Sequence, residues 1–157
     1  LQVNDLLKNP QDLPKAISQL QSENASLKKE RNEFQKLKSQ ILAKEAQAEI
    51  EHYNGVAFLA KAVHLDAQAI KDLAFEIGKN RDDLFLVLGS SKTDKPILSC
   101  YISKTLVSDK GMDAGKVVRE LGQYIQGGGG GQPFFATAGG KNPAGIPQAL
   151  KAAKDLI

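Results

Sequence analysis

The chain of 157 residues has a single cysteine, Cys100, and two histidines, His52 and His64. One thiol cannot build a disulfide framework, and a reducing compartment is the simpler setting. Two histidines without a cysteine or carboxylate at ligand spacing offer no metal site that could activate water. Long apolar stretches are missing as well. The longest strongly apolar run is Leu84 to Leu88, far short of the roughly 20 residues of a membrane span, and no charged-then-apolar signal opens the chain. The expectation is a soluble, cytoplasmic protein with no membrane partner. Charge of one sign is scarce too: 21 Lys and Arg face 18 Asp and Glu, a net +3 that does not by itself identify a polyanion ligand.

What is present suits a globular domain with an appendage. Hydrophobic residues make up 41% of the chain, and a compact chain of this length buries roughly two-thirds of its unfolded surface, enough for a core without disulfides. The positive excess lies beyond Gly55, where a modest basic patch or ordinary solubilising lysines account for it equally well. The chain opens at Leu1 in mid-pattern, which reads as a piece of something longer.

The first third spaces apolar residues by sevens, through Leu6, Leu13, Leu20, Leu27, Phe34 and Ile41, with no glycine before Gly55. This is one seam of a long helix. Asp12 and Pro14 signal a start near Leu13, and Pro10 sets off a short turn or helix around Val3 to Lys8. A length of about 30 residues corresponds to roughly 45 Å. The companion positions Ile17, Asn24, Arg31, Lys38 and Glu45 are too polar for a strong two-stranded zipper. Half of a coiled coil, a strut between domains and a dimer arm built on Leu13, Leu20, Leu27, Phe34 and Ile41 all remain open.

Farther on, Asn54-Gly55 reads as a two-residue turn before the apolar run Val56 to Leu59. Ile70, Leu73, Ala74 and Ile77 mark a helix ending at Gly78. Residues 84–88 and 97–102 read as buried strands joined by a polar turn. Ala114, Val117, Val118, Leu121 and Ile125 repeat at helical spacing, Phe134 to Ala138 suits a short strand, and Ile146 to Ile157 outlines a closing helix. The expected fold class is α/β, with a long N-terminal coiled-coil-like helix (1–46) followed by a small globular domain (47–157) whose mixed β-sheet is packed by helices.

The segment richest in information is glycine. Of fourteen glycines, eight fall between Gly127 and Gly145, and Gly127, Gly128, Gly129, Gly130 and Gly131 are consecutive. Ordering such a run is costly in conformational entropy. It is either a floppy linker or a use of main chain without side chains, whose N–H groups can gather round a phosphate. The apolar flank Gln132 to Ala138 fixes the ends of the loop and favours the second use. Gly139-Gly140 precedes Lys141 and the last helix, whose first N–H groups form another natural anion site. Two glycine turns at opposite ends of one short strand then make a single phosphate-contacting surface. Neither Gly-x-x-x-x-Gly-Lys-Ser/Thr nor Gly-x-Gly-x-x-Gly occurs, so an ATPase or dinucleotide enzyme is not supported.

Ala114-Gly115, the helix that follows, Gly127 to Gly131, Gln132-Pro133 and Ala136-Thr137-Ala138-Gly139-Gly140 closely resemble the C-terminal glycine-rich domain of bacterial alanyl-tRNA synthetases. The same domain type forms the second half of DHH-family phosphoesterases. In the synthetases it follows a long helical segment, so the resemblance covers essentially the whole chain. The family pattern runs Gly-Gly-Gly-Gly-Arg-Pro-Asp-Met-Ala-Gln-Ala-Gly-Gly; here Gln132 replaces the arginine, Phe134-Phe135 replaces Asp-Met and Thr137 replaces Gln. Loss of the arginine removes a bidentate phosphate donor.

The resemblance implies a tRNA-binding appendage that contacts the outer corner of the L-shaped tRNA and assists aminoacylation and editing by the rest of its parent. Alanine tRNA and the other domains of the parent are its implied partners, with self-association in some members. This stretch would hold no cofactor, whereas the parent would use ATP, Mg and Zn. Structured RNA is read mainly by shape, phosphate and 2′-hydroxyl contacts, for which main-chain N–H groups and a few lysines suffice. Gly127 to Gly131, Gln132, Gly139, Gly140 and Lys141 are the candidate contacts, with Lys104, Lys110, Lys116 and Arg119 as steering charges.

Catalysis by this stretch finds little support. The Asp-His-His motif of the phosphoesterase half is absent, Asp82-Asp83 suits a turn or cap, and Cys100 reads as a buried structural thiol. Phe134 or Phe135 could stack on a base, but one of two adjacent strand residues should face the core. Three functions from different classes follow: a tRNA-binding domain, the substrate-binding half of a DHH-type phosphoesterase, or a dimerisation module.

Overall fold

The computed structural model describes Leu6, Leu7 and residues 11–157. The element expected around Val3 to Lys8 lies largely outside them. Helix α1 spans Leu13–Gln47, 35 residues. It starts where the sequence signals it: the Asp12 carboxylate accepts the Lys15 N–H at 3.0 Å, and Pro14 occupies the first turn, where a missing N–H costs nothing. Contacts divide the chain into Leu1–Lys38 and Ser39–Ile157. In the first unit, Leu20, Leu27 and Phe34 stand exposed along one stripe. In the second, Ser39, Ala43 and Ala46 are buried, so the last turns of α1 pack as part of the globular unit.

Within the globular unit, β1 (Glu51–Tyr53) and β2 (Val56–Val63) form a hairpin through Asn54-Gly55. Both turn residues have positive φ, 51° and 78°, as a tight hairpin turn requires. Helix α2 (Ala67–Gly78) is capped by Asp66, whose carboxylate accepts the Ala69 N–H, and crosses over to β3 (Leu84–Ser90), parallel to β2. Next come β4 (Ile97–Ile102), antiparallel to β3, and the short helices α3 (Lys104–Lys110) and α4 (Ala114–Gly122). The chain closes with β5 (Gly128–Gln132), β6 (Phe135–Gly139), and α5 (Ile146–Ala152) flanked by single turns of 3-10 helix.

The six strands form one mixed sheet in the order β1-β2-β3-β4-β6-β5. Every residue of β3 is buried, as its continuous apolar run demands of a strand covered on both faces. Alternation along the strands sorts the core into two layers. Phe85, Val87, Leu98 and Cys100 face α4 and α5, whereas Leu84, Leu86 and Leu88 face α2 and Ala43 and Ala46 of α1. Each buried large side chain contributes about 1.5–3 kcal/mol through removal from water.

The α/β arrangement agrees with the sequence reading, including the antiparallel pair at 84–102. Two local expectations do not hold, and one helix went unread. The glycine run is a strand rather than a bend. Residues 104–110 form a helix that the sequence reading passed over. The helix expected to reach Ile125 ends at Gly122, after which residues 123–126 turn the chain into β5. Glycine has poor strand propensity, which hides β5 from local reasoning; pairing with β6 and the close approach of α4 decide it instead.

Candidate nucleic-acid interface

The β5–β6 hairpin sits at the edge of the sheet, and its register pairs Gly128 with Gly139, Gly130 with Thr137 and Gln132 with Phe135. Ala136 and Ala138 point into the core against α4, so Gly129 and Gly131, which oppose them, belong to that side. A methyl group on Gly129 would run into the Thr137 carbonyl, and one on Gly131 would lie 2.7 Å from the Ala136 Cα. Gly127 and Gly140 are equally constrained, by the Gly139 and Ile125 carbonyls. Gly128, Gly130 and Gly139 are different: a Cβ there would meet nothing within 4 Å. Four of these seven glycines are therefore required by the hairpin and its ends, and the other three leave bare main chain on the open face.

That face continues onto β4, where Ile97, Ser99 and Tyr101 lie opposite Gly139, Thr137 and Phe135. Phe75 of α2 packs against both Tyr101 and Phe135, with ring centroids 5.3 Å apart in each case. The Ser99 hydroxyl is buried and has no hydrogen-bond partner among the described residues. The face is thus aromatic at one end and, on β5 and β6, side-chain-free at the other, where Ile97 borders it, with Thr137 exposed between.

The candidate contacts are only partly brought together. Gly128, Gly130, Gln132 and Gly139 share the open face, and exposed Lys141 follows Gly140 at its glycine end. Ahead of the last helix three backbone donors are already taken: Gly140 N–H donates to the Pro96 carbonyl, and Lys141 and Asn142 N–H both donate to the Ile125 carbonyl at 2.9 Å. Backbone donors already paired cannot also cradle a phosphate. Lys116 and Arg119 ride on the outer side of α4, behind the hairpin relative to the open face. Lys104 opens α3, and Lys110 donates to the Asn54 carbonyl at 2.9 Å, at the β1–β2 turn near the opposite edge of the sheet. Phe75 and Tyr101 are neighbours of the face that sequence reasoning passed over. The available signal was the pair Lys71 and Phe75, four apart on α2, with a second cation, Lys79, at the helix end.

No catalytic constellation emerges from the rest. Burial, reinforced by the Asp113 charge, pushes the Cys100 thiol far above its ordinary range, opposite to what a nucleophile needs. His52, which looked isolated in the sequence, lies 3.9 Å from Asp83, a carboxylate also within 3.7 Å of Arg81. Among the described residues no group of three or more His, Cys, Asp or Glu is placed to hold a metal ion, and no helix is long and apolar enough to cross a membrane.

Comparison with known proteins agrees with the glycine hairpin. The DHHA1 domain model matches residues 55–157. The chain is 54% identical over 151 residues to the alanine–tRNA ligase of Christiangramia forsetii, and 41% identical over 156 residues to that of Flavobacterium psychrophilum. These alignments cover 96% and 99% of this chain but only 17% and 18% of the relatives, so it spans about a sixth of their length. Among solved structures, the C-Ala domain of Aquifex aeolicus alanyl-tRNA synthetase matches with a TM-score of 0.62 and 26% identity, over 68% of this chain and 96% of that one. Bare main chain at Gly128, Gly130 and Gly139, the fold that carries it and these matches lead to one conclusion: the chain belongs to the DHHA1 domain family, as a C-Ala-type domain homologous to the C-terminal part of bacterial alanyl-tRNA synthetases.

Proposed function

We propose that this domain binds tRNA for an alanine–tRNA ligase of which it forms a part. It grips the outer corner of alanine tRNA and helps present the molecule to aminoacylation and editing sites elsewhere in the enzyme. ATP, magnesium and zinc are used by those other parts, in the cytoplasm, and this stretch performs no reaction itself. The observation that carries the reading is the open face of β5–β6, where Gly128, Gly130 and Gly139 leave main chain free for close approach and Lys141 stands beside it. A surface of this kind suits RNA read by shape, because backbone and 2′-hydroxyl contacts need proximity more than long side chains. With Gln132 in place of the family's arginine, charge contributes modestly.

Filter binding of alanine tRNA at two ionic strengths tests this. Affinity should fall about tenfold between 50 and 200 mM salt if two phosphate counterions are released. Absence of saturable binding at the lower salt would defeat the proposal. The phosphoesterase alternative loses ground because the relatives above are alanine–tRNA ligases. A second role in self-association is favoured by one observation, the exposed stripe Leu20, Leu27, Phe34 and Ile41 on α1.

A further inference from the structure

Aromatic rings are usually placed where one face is buried and little is left to water. Phe75 departs from this, in contact with Tyr101 and Phe135. Phe75 remains 39% exposed, and Tyr101 and Phe135 are half-buried beside it at the border of the open face. Their geometry is fixed rather than loose. Phe75 meets Tyr101 edge-on at 77° and Phe135 at a tilt of 47°. The Tyr101 ring lies so close over Gly78 that any side chain there would collide with it. Lys71 stands one turn before Phe75 on α2, Lys79 follows the last helical residue Gly78 as the C-cap, and neither has a carboxylate within 4.0 Å among the described residues. Asp72 and Glu76 also lie on α2, and Asp82 adds to burial in raising the Tyr101 phenol, which stays neutral.

We propose that Phe75, Tyr101 and Phe135 form a stacking platform for an exposed nucleobase of the bound RNA, with Lys71 and Lys79 meeting the flanking phosphates. This rests on the tRNA reading and adds the moiety and the residues. Any base has a flat face that can cover the rings, and ordered rings lose little freedom when it does so. The two free cations favour a polyanion over an apolar protein segment as the occupant. The glycine row continues the same surface, so a base on the rings places its backbone over Gly130 and Gly128, where no side chain obstructs it.

The test compares wild type, Phe75→Leu and Phe75→Trp in the full chain, with tRNA as probe. Leucine keeps the apolar cover but removes the aromatic face; tryptophan restores it. Stacking is worth about 1–3 kcal/mol per base, which corresponds to roughly 5- to 150-fold in affinity. Phe75→Leu should lose about tenfold with an unchanged salt slope, Phe75→Trp should bind as wild type, and Lys71→Gln with Lys79→Gln should reduce the slope. Aromatic NMR resonances of wild type should move on adding tRNA, which keeps the question decidable if a variant fails to fold. Phe75→Leu binding as tightly as wild type, or resonances that move with protein concentration but not with tRNA, would overturn the platform alone. A wild type that binds no tRNA would overturn the underlying reading as well.

Discussion

Gly128 lies directly opposite Gly139 across the β5–β6 ladder, so two glycine stretches separated in the chain become neighbours at one end of the hairpin. Neither position is needed to relieve a clash, since a Cβ at either would meet nothing within 4 Å. Their bareness is available to a partner. Gly129 and Gly131, between and beside them in sequence, serve the opposite purpose of letting the two strands close up.

This division separates folding from binding. Gly129→Val drives a side chain into the Thr137 carbonyl and should unfold or loosen the hairpin, at a cost of about 1–3 kcal/mol or more. Gly130→Val meets open space, and its β-branched side chain suits an edge strand. It should melt within a few degrees of wild type yet bind tRNA several-fold more weakly. Thermal melts and filter binding on the same preparations distinguish the two, and equal tRNA affinity of Gly130→Val and wild type would count against the bare face as the contact surface.

The lysines divide in the same way. Lys141 follows the bare end of the hairpin, and Lys141→Ala should weaken binding uniformly across tRNA sequences, as loss of a phosphate contact does. Lys110 is engaged with the Asn54 carbonyl near the far edge of the sheet, so Lys110→Ala should leave tRNA affinity unchanged. Titrations at one fixed salt concentration check both; a larger loss for Lys110→Ala than for Lys141→Ala would reverse the placement of the interface.

Two buried serines should respond with opposite signs. The Ser103 hydroxyl donates to the Arg81 carbonyl at 2.8 Å and accepts the Leu84 N–H at 3.1 Å, tying α3 to the start of β3. Ser103→Ala strands both backbone groups and should cost about 1–3 kcal/mol. Ser99 has no partner for its hydroxyl among the described residues, and replacing an unpaired buried polar group with a methyl should be neutral or stabilising by about 1 kcal/mol. Urea unfolding of the two variants reads this directly.

Much of the architecture was legible because local and global signals coincide. Asp12-x-Pro14 starts α1, Asn54-Gly55 turns the first hairpin, and the short run from Leu84 to Leu88, bounded by polar turns, suits a strand buried on both faces. The glycine run was legible as a site but not as a strand, since its conformation is imposed by β6 and α4 rather than by its own propensity. Helix α3 is short and depends on the αL glycine Gly111 and packing of Leu106, which no periodicity announces. Phe75 and Tyr101 are remote in sequence from the glycines, so only the packing of α2 on the sheet and the pairing of β4 with β6 could bring them to that face.

Cys100 ties stability to pH. Burial, then the charge of Asp113, holds its folded pKa far above the ordinary value, so the folded state keeps its proton when the unfolded chain releases it. The contribution is fully present below the unfolded pKa of about 8.5 and declines above it, by up to about 1.4 kcal/mol per pH unit. Unfolding free energy should therefore drop between pH 8 and pH 10 more steeply in wild type than in Cys100→Ala, whatever the absolute cost of the smaller side chain. Parallel pH profiles for the two proteins would exclude this linkage.

The stripe on α1 leaves Leu27 64% and Phe34 68% exposed. A helix that shows apolar residues every seventh position gains by pairing that seam with another helix, and a second copy supplies one of matching spacing. The polar companions Asn24, Arg31 and Lys38 limit the gain, so any dimer should be weak and concentration-dependent. Sedimentation equilibrium of wild type beside Leu20→Asp and Leu27→Asp measures it. Self-association that both substitutions abolish, with the melting temperature of the globular unit unchanged, assigns it to the seam. A monomeric wild type whose mass neither substitution alters would remove the dimer arm and leave α1 to act as a strut.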